Sequence, residues 1–298
     1  LAGAVDVLAV GNINIDLAFY VDRAPAHDSE AFAHRFSRFH GGSAANFSVG
    51  AARLGLRSGI LACVGNDMDG YEAVDKLRGE GVITEFIRRV EGAGTGTVCV
   101  IVEGDGSRRM LAYRGANASL EGIAAEGAEA AAPGIVQLCN AGTDVLRSIM
   151  KRRGSWRVSV DPGGSVVDLE GGDLDGASIV LLNESECETL TGEGWREGAR
   201  ALSKSAGIVV VKRGAQGAHL LSAGREFTLP AYRVDVQDTT GAGDAFDAGF
   251  IAACSKGLAD VECLRWGLAA AALKIQSRGA RNGLATEAQL RDFLRLHG

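Results

Sequence analysis

Short β-branched runs alternate with helical patterns along most of this chain. Val5–Val10 (VDVLAV) reads as a buried strand that ends at Gly11. Ala44–Leu54 then carries apolar residues at helical spacing, with Gly55 as its stop. Ser58–Val64 reads as a strand and Tyr71–Arg78 as a helix. Further strands are expected at Ile135–Leu138, Trp156–Asp161, Ile179–Asn183 and Ile208–Lys212. Helical stretches fall at Asp144–Arg153, Glu184–Leu190 and Glu197–Ser205. This strand–helix rhythm predicts a parallel sheet covered by helices.

Two regions break the rhythm. Leu17–Val21 and Ala31–Phe39 look like strands with no helix between them. So do Thr97–Glu103 and Arg109–Tyr113, joined by the turn signal Gly104-Asp105-Gly106-Ser107. These four strands predict a small sheet inserted into the α/β body, from segments near 12–40 and 95–115. Gly92–Thr97 is glycine-rich, but no helix pattern follows it, so it fails as a dinucleotide site and reads as the lead into an inserted strand. The C-terminal part reverses the picture: Ala245–Lys256, Val261–Gln276 and Glu287–Leu296 read as helices. Neither an internal repeat nor a dividing linker is visible, so residues 1–298 are expected to form a single domain. In such folds ligands bind beyond the carboxyl ends of the strands. Gly11 to Asp16, Asn183 to Glu186, Gly214 and the loop at Asp238 all follow expected strands or lie just past one, and are expected to converge on one crevice.

The 298 residues are 46% hydrophobic and 23% charged, which suits a globular domain of this size. A net charge of −6 argues against a nucleic-acid partner, which would call for a basic face. No apolar run reaches the roughly 18 residues that a membrane span needs. Leu1–Val10 lacks the basic start and cleavage site of a signal peptide, and the missing initiator Met is read as a trimmed start. Cys63, Cys99, Cys139, Cys187, Cys254 and Cys263 form no C-x-x-C and no metal-ligand spacing. They read as reduced thiols of a cytoplasmic protein. The five histidines are dispersed, and only His40 abuts a candidate site.

The densest chemistry lies in Asp238-Thr239-Thr240-Gly241-Ala242-Gly243-Asp244-Ala245-Phe246. A glycine loop that opens a helix is an anion trap, because its free N–H groups and the helix dipole both favour negative charge. Asp244 stands at the mouth of that trap. There a carboxylate makes sense as a base that takes a proton from a hydroxyl while the loop holds a transferring phosphoryl group. The plainer alternative is an acidic cap on the first helical turn.

Four segments in this order resemble the ribokinase-like, or PfkB, family of sugar and nucleoside kinases. They are Gly11-Asn12-Ile13-Asn14-Ile15-Asp16, Gly41-Gly42-Ser43-Ala44-Ala45-Asn46 with Ala51–Gly55, Asn183-Glu184-Ser185-Glu186, and the loop from Asp238 to Phe246. The resemblance runs from Val5 to about Leu284. It implies a three-layer α/β/α ribokinase-like fold with a mostly parallel central sheet and a small β-sheet lid, which in relatives often doubles as a homodimer interface. It implies ATP as phosphoryl donor, Mg2+ as cofactor and a small sugar or nucleoside as acceptor. Asp244 matches the catalytic base, and Gly241, Ala242 and Gly243 the anion hole. Asp16 matches the acid that holds substrate hydroxyls; the alternative is a turn-capping aspartate. Gly41, Gly42 and Asn46 match residues beside the substrate, with Asn12 and Asn14 as weaker candidates. Asn183 and Glu186 match an element that organises magnesium, often through water, although the same spacing suits a helix capping box. Lys212, Gly214, Gly217 and Thr239 fall beside the nucleotide; relatives often carry Thr or Ser where Lys212 stands. Asp238 and Thr240, with the loop near Gly279-Ala280, correspond to a monovalent-cation site of some relatives, potassium being the ion in question.

The reading is therefore an ATP-dependent sugar kinase. A nucleoside kinase is the close rival, with Phe19, Phe36, Phe39 and Tyr113 as candidates to stack on a base. A kinase of a phosphorylated sugar is another, with Arg35, Arg38, Arg108, Arg109 and Arg114 as candidates to pair with the phosphate. Further from these stand an inactive sugar or nucleotide sensor and a dehydrogenase. No dinucleotide fingerprint follows the first strand, and no G-x-x-x-x-G-K-[ST] is present.

Overall fold

The computed structural model describes residues 5–152 and 154–297. The first four residues, with the expected trimmed start, and Arg153, the expected end of one helix, lie outside the described residues. In chain order the elements are β1 (Val7–Gly11), β2 (Asn14–Tyr20), β3 (Arg35–Gly41), α1 (Ser43–Arg53), β4 (Ser58–Gly65), α2 (Met68–Gly79), β5 (Ile87–Val90), β6 (Gly96–Val102) and β7 (Arg108–Tyr113). Then follow α3 (Glu121–Ala131), β8 (Ile135–Cys139), α4 (Thr143–Lys151), β9 (Arg157–Asp161), β10 (Ile179–Asn183), α5 (Glu184–Thr191), α6 (Trp195–Leu202) and β11 (Ile208–Lys212). The chain closes with β12 (Ala218–Ser222), β13 (Arg225–Leu229), α7 (Ala242–Ser255), α8 (Asp260–Lys274) and α9 (Glu287–His297).

Nine strands form one sheet in the order β13-β12-β11-β10-β9-β8-β1-β4-β5. Every pairing in it is parallel except those of β12 with β11 and β13. Alternate residues of each central strand feed opposite cores. Val7 and Ala9 pack with α1, α7 and α8, whereas Leu8 and Val10 pack with α3, α4 and α6. Ile179 and Leu181 repeat this split against Val180 and Leu182. The result is helices on both faces of a mostly parallel sheet, as the alternation of strands and helices predicts, in the three-layer architecture that the resemblance implies. From β1 the sheet order proceeds to β4 on one side and to β8 on the other, which opens a crevice past the carboxyl end of β1.

The helix-free strands form the second sheet, in the order β3-β2-β6-β7. The strand expected from Ala31 begins instead at Arg35, because β2 ends at Tyr20 and the register gives Tyr20 its partner at Arg35. Period-two alternation sends Asn14, Asp16, Ala18 and Tyr20 to the face that looks into the crevice. Four elements escape the sequence reading: β5, α3, β12 and β13. In α3 the run EGIAAEGAEAA is built of small residues, with two glycines, so its helical period is faint.

Candidate active site

The C-terminal wall of the crevice is built by the start of α7. Gly241 caps this helix at φ 78°, a left-handed conformation that suits glycine, and a side chain there would run into the Ala280 carbonyl. The Ala242 amide donates back to the Thr239 carbonyl at 3.1 Å. Among the described residues, the amides of Gly243 and Asp244 have no protein acceptor, which leaves them free to donate to an anion. Behind them α7 is almost wholly buried, with Phe246 and Phe250 in the core. Each such side chain contributes about 1.5–3 kcal/mol to holding the helix in place.

Asp244 faces the cavity and accepts a hydrogen bond from Asn46 Nδ2 at 2.8 Å. Burial pushes its carboxyl up to about 6, helped by the nearby charge of Asp161 and opposed by the Asn46 bond and the Lys212 ammonium. Asn46 is itself clamped, because its Oδ1 accepts from Arg281 Nε at 2.9 Å. Arg281 also donates to the Gly41 carbonyl at 2.9 Å. Burial lowers the guanidinium to about 10, against the pull of Asp16, Glu80 and Asp244. Arg281 was not singled out from sequence; it lies 235 residues from its partner Asn46.

The lid wall presents Asp16. Burial raises this carboxyl as well to about 6, with Arg281 as the opposing charge. Gly41 lies directly across, and any side chain there would collide with the Asp16 carboxylate. Asn14 lines the same cavity and its Oδ1 accepts from Asn117 Nδ2 at 2.9 Å. Asn117, buried, also exchanges hydrogen bonds with the Ile13 main chain and so pins the strand that carries Asp16. Asn12 reaches the Asn140 carbonyl at 3.4 Å. Gly42 and Asn46 complete this side. The cavity they enclose measures about 680 Å³ and includes Asn12, Asn14, Asp16, Gly42, Asn46, Asp238, Thr240, Gly241 and Asp244.

The remaining candidates lie behind or beside this cavity. Asn183 and Glu186 form a reciprocal capping box, each side chain accepting from the other's backbone amide at 2.8 Å. Glu186 Oε1 has no hydrogen-bond partner among the described residues, and burial and the charge of Asp161 raise this carboxyl. Lys212 donates to Asp161 at 2.7 Å and to Asp247 at 3.0 Å. Burial alone would lower the Lys212 amine, but these two carboxyl groups hold it above its ordinary range. Of the two acids, Asp161 is held below its ordinary range against its burial, chiefly by Lys212, while burial raises Asp247. A β-carbon built on Gly243 would lie 3.6 Å from Lys212 Nζ, so this cation sits under the anion trap rather than in open solvent. Gly214 and Gly217 flank the short turn after β11, both at positive φ. Thr239 contributes its carbonyl to the loop through the Ala242 bond.

Magnesium fits this corner in kind. Glu186 offers a hard carboxylate oxygen, and Mg2+ keeps several waters rather than demanding a full protein cage. Among the described residues no three His, Cys, Asp or Glu groups are gathered to hold a metal by themselves, so the ion would rely on phosphate oxygens and water for the rest. Asp238 and Thr240 bond to each other, at 2.9 Å to the Thr240 amide and 2.7 Å to its hydroxyl. The lid arginine Arg108 reaches the Thr240 hydroxyl at 3.1 Å across the mouth of the cavity. Of the other lid arginines, Arg35 lines the cavity, while Arg38 pairs with Asp69 and Glu72 and Arg109 with Glu103. Arg278 also lines the cavity and was not singled out from sequence.

Comparison with known proteins places these features in a family. The model of the pfkB family carbohydrate kinases matches residues 5–287. The chain is 32% identical to an ATP-dependent ribose-1-phosphate kinase of Halopiger xanaduensis, over 95% of this chain and 96% of that protein. It is 31% identical to the ribokinase of Mus musculus, over 94% and 91%. The structure of Arabidopsis thaliana ribokinase complexed with ribose and ATP superposes with a TM-score of 0.83 at 27% identity, covering 98% of this chain and 99% of that one. A glycine loop that opens a buried helix, facing a β-sheet lid in a chain matched along nearly its whole length, leaves one conclusion: the chain belongs to the pfkB family of carbohydrate kinases and is a phosphotransferase that acts on a hydroxyl group.

Proposed function

We propose that this kinase transfers the γ-phosphoryl group of ATP to a hydroxyl of a small sugar, with Asp244 as general base. One observation carries the reading. Asp244, its carboxyl near 6, opens onto the same cavity as the diol-binding candidate Asp16, beside the unpaired amides of Gly243 and Asp244. The acceptor hydroxyl gives its proton to Asp244 as its oxygen attacks the γ-phosphorus; the bond to the β-phosphate oxygen breaks and ADP leaves. The Gly241–Asp244 loop holds the charge spread over the phosphoryl oxygens. Glu186 would hold Mg2+ through water, and the ion would supply charge neutralisation on the phosphates. Asp16, Asn14 and Asn46 orient the acceptor, while Val98, Val100 and Phe39 exclude water.

A phosphorylated sugar is the second reading. Arg35, Arg108 and Arg278 all line the cavity and could meet an anionic group. The nucleoside reading has less support, because Phe19 and Phe36 pack against each other with centroids 5.0 Å apart, and only Phe39 of the proposed stacking residues lines the cavity. We place a homodimer contact on the outer lid face, where Phe36 and Leu111 are 54% and 76% exposed. Its six free cysteines suit a reducing, cytoplasmic setting. No described helix is long and apolar enough to cross a membrane. The test is phosphoryl transfer from Mg-ATP to ribose, fructose, 2-keto-3-deoxygluconate, nucleosides and sugar phosphates. A hit that vanishes in Asp244→Asn supports the reading; a hit that survives it removes Asp244 as the base.

A further inference from the structure

The residues on which the potassium expectation rests do not fit a free ion. Asp238 Oδ1 already accepts from the amide and the hydroxyl of Thr240, and Oδ2 accepts from the Gly279 amide at 2.8 Å. Arg108 adds a positive charge 3.8 Å from Oδ1. These donors hold the Asp238 carboxyl below its ordinary range against the effect of burial.

Lys274, the last residue of α8, fills the space between the two loops that meet here. Its side chain is fully buried, and Nζ donates to the Asp238 carbonyl at 2.9 Å and to the Ser277 carbonyl at 3.4 Å. A lysine is almost never this buried unless oxygens hold its charge. The oxygens here belong to the main chain, one from the loop that leads into the anion trap and one from the turn after α8. An alkali ion is held by proteins in the same manner, by carbonyl oxygens that replace its water. The two loops also touch where the Gln237 and Asp238 amides share the Ile275 carbonyl, and where Gly241 abuts Ala280. The ammonium therefore sits at the centre of a junction whose geometry sets Gly241 and Asp244.

We propose that Lys274 is a tethered monovalent cation: its ammonium clamps the Asp238–Gly241 loop to the 275–283 turn from inside, and makes this enzyme independent of potassium. Lys274 does not line the cavity and acts as a positioning residue through the loop. The proposal rests on the kinase reading for its rate measurement but not for its stability measurement, so the two can fail separately.

The experiment compares choline, sodium, potassium and ammonium chlorides at equal ionic strength. For the unaltered chain, turnover with Mg-ATP is expected to change by less than about twofold between choline and potassium, and the midpoint of thermal unfolding without ligands is expected not to respond to potassium. Lys274→Ala is expected to lose about tenfold or more in kcat in choline, with the acceptor KM little changed, and to regain much of it with potassium or ammonium. Its unfolding midpoint should rise in potassium over choline. Lys274→Met, which fills the space without charge, should be slow in every salt. Strong potassium activation of the unaltered chain would overturn the proposal, and so would full turnover of Lys274→Met in choline. Should no acceptor be turned over, a potassium-specific rise in the midpoint of the unaltered chain overturns it, and a rise confined to Lys274→Ala supports it.

Discussion

Asp244 and Asp16 face one cavity, and burial lifts both carboxyls to about 6, yet the two ends that carry them are built in opposite ways. Asp244 stands on a helix whose following turns are sealed in the core, and Asn46, Ser43 and Lys212 all act on its charge. Asp16 stands on a strand of a four-stranded sheet whose outer face is largely open, and Arg281 is the single charge that opposes its burial. On the proposed reading, the difference separates chemistry from recognition. The rigid end would fix a base and an anion trap that suit any acceptor alcohol, while the lid end would decide which acceptor fits.

The sharpest way to break that contrast is Asp244→Asn. Loss of about 10²–10⁴-fold in kcat is expected, with nucleotide affinity retained, as read by phosphoryl transfer and nucleotide titration. Turnover within a few-fold of the unaltered chain would end the assignment. Asp16→Asn should act mainly on the acceptor, raising its KM at a cost of about 1.5–3 kcal/mol in kcat/KM. A pH profile sharpens the pair further. Both carboxyls are raised, so each is charged above about 6 and gains a proton as the pH falls through that value. On the proposed roles activity needs both charged, and kcat/KM should therefore fall below about pH 6 with a limiting slope of about two, reduced to about one in Asp16→Asn. A slope of one in the unaltered chain would show that only one of them must be ionised.

Arg281→Met tests the bridge between the ends. It frees the Asn46 amide and the Gly41 carbonyl together, and a drop of about tenfold in kcat/KM is expected, shared between kcat and KM. An effect on KM alone would mean that Arg281 serves the lid but not the base. The smallest effect is expected from Arg108→Ala. Its exposed contacts with Thr240 and Asp238 should contribute only about 0.2–1 kcal/mol, seen as a modest rise in acceptor KM. A much larger rise with sugar phosphates than with free sugars would instead favour the phosphorylated acceptor.

The contrast also governs what could be read from sequence. The strand–helix rhythm gave most of the main sheet, and the shift from helical to strand patterning located the second sheet. The loop from Asp238 to Asp244 was legible because its chemistry is local: glycines, an acid and a helix start lie within one turn of chain. Arg281, Asn117 and Lys274 were not, because their meaning depends on partners brought in by folding. Arg281 meets Asn46 across 235 positions and Asn117 meets Ile13 across 104. Asp161 and Asp247 escaped for the same reason: each reads as an ordinary acid until Lys212 lies between them. The lid shows a different limit. Both faces of β6 carry apolar residues, so alternation marks a strand without telling which side looks inward. At the other edge, β12 and β13 were passed over because the chain there changes from parallel crossovers to a hairpin that turns through Ala223 and Gly224 at positive φ.

Alternation on the lid has an evolutionary consequence. Along β2 the cavity-facing positions are Asn14, Asp16, Ala18 and Tyr20, and β3 answers with Arg35, Ser37 and Phe39. Asn14 is tied to the buried Asn117 and Asp16 is set against Arg281, but Ala18, Tyr20, Arg35 and Ser37 lie within the lid, and their neighbours in sequence point the other way. A descendant of this gene could acquire a new acceptor through a few single-codon changes, while the helix that carries Asp244 stays as it is. Families built on such a palette should diversify in diet long before they diversify in reaction.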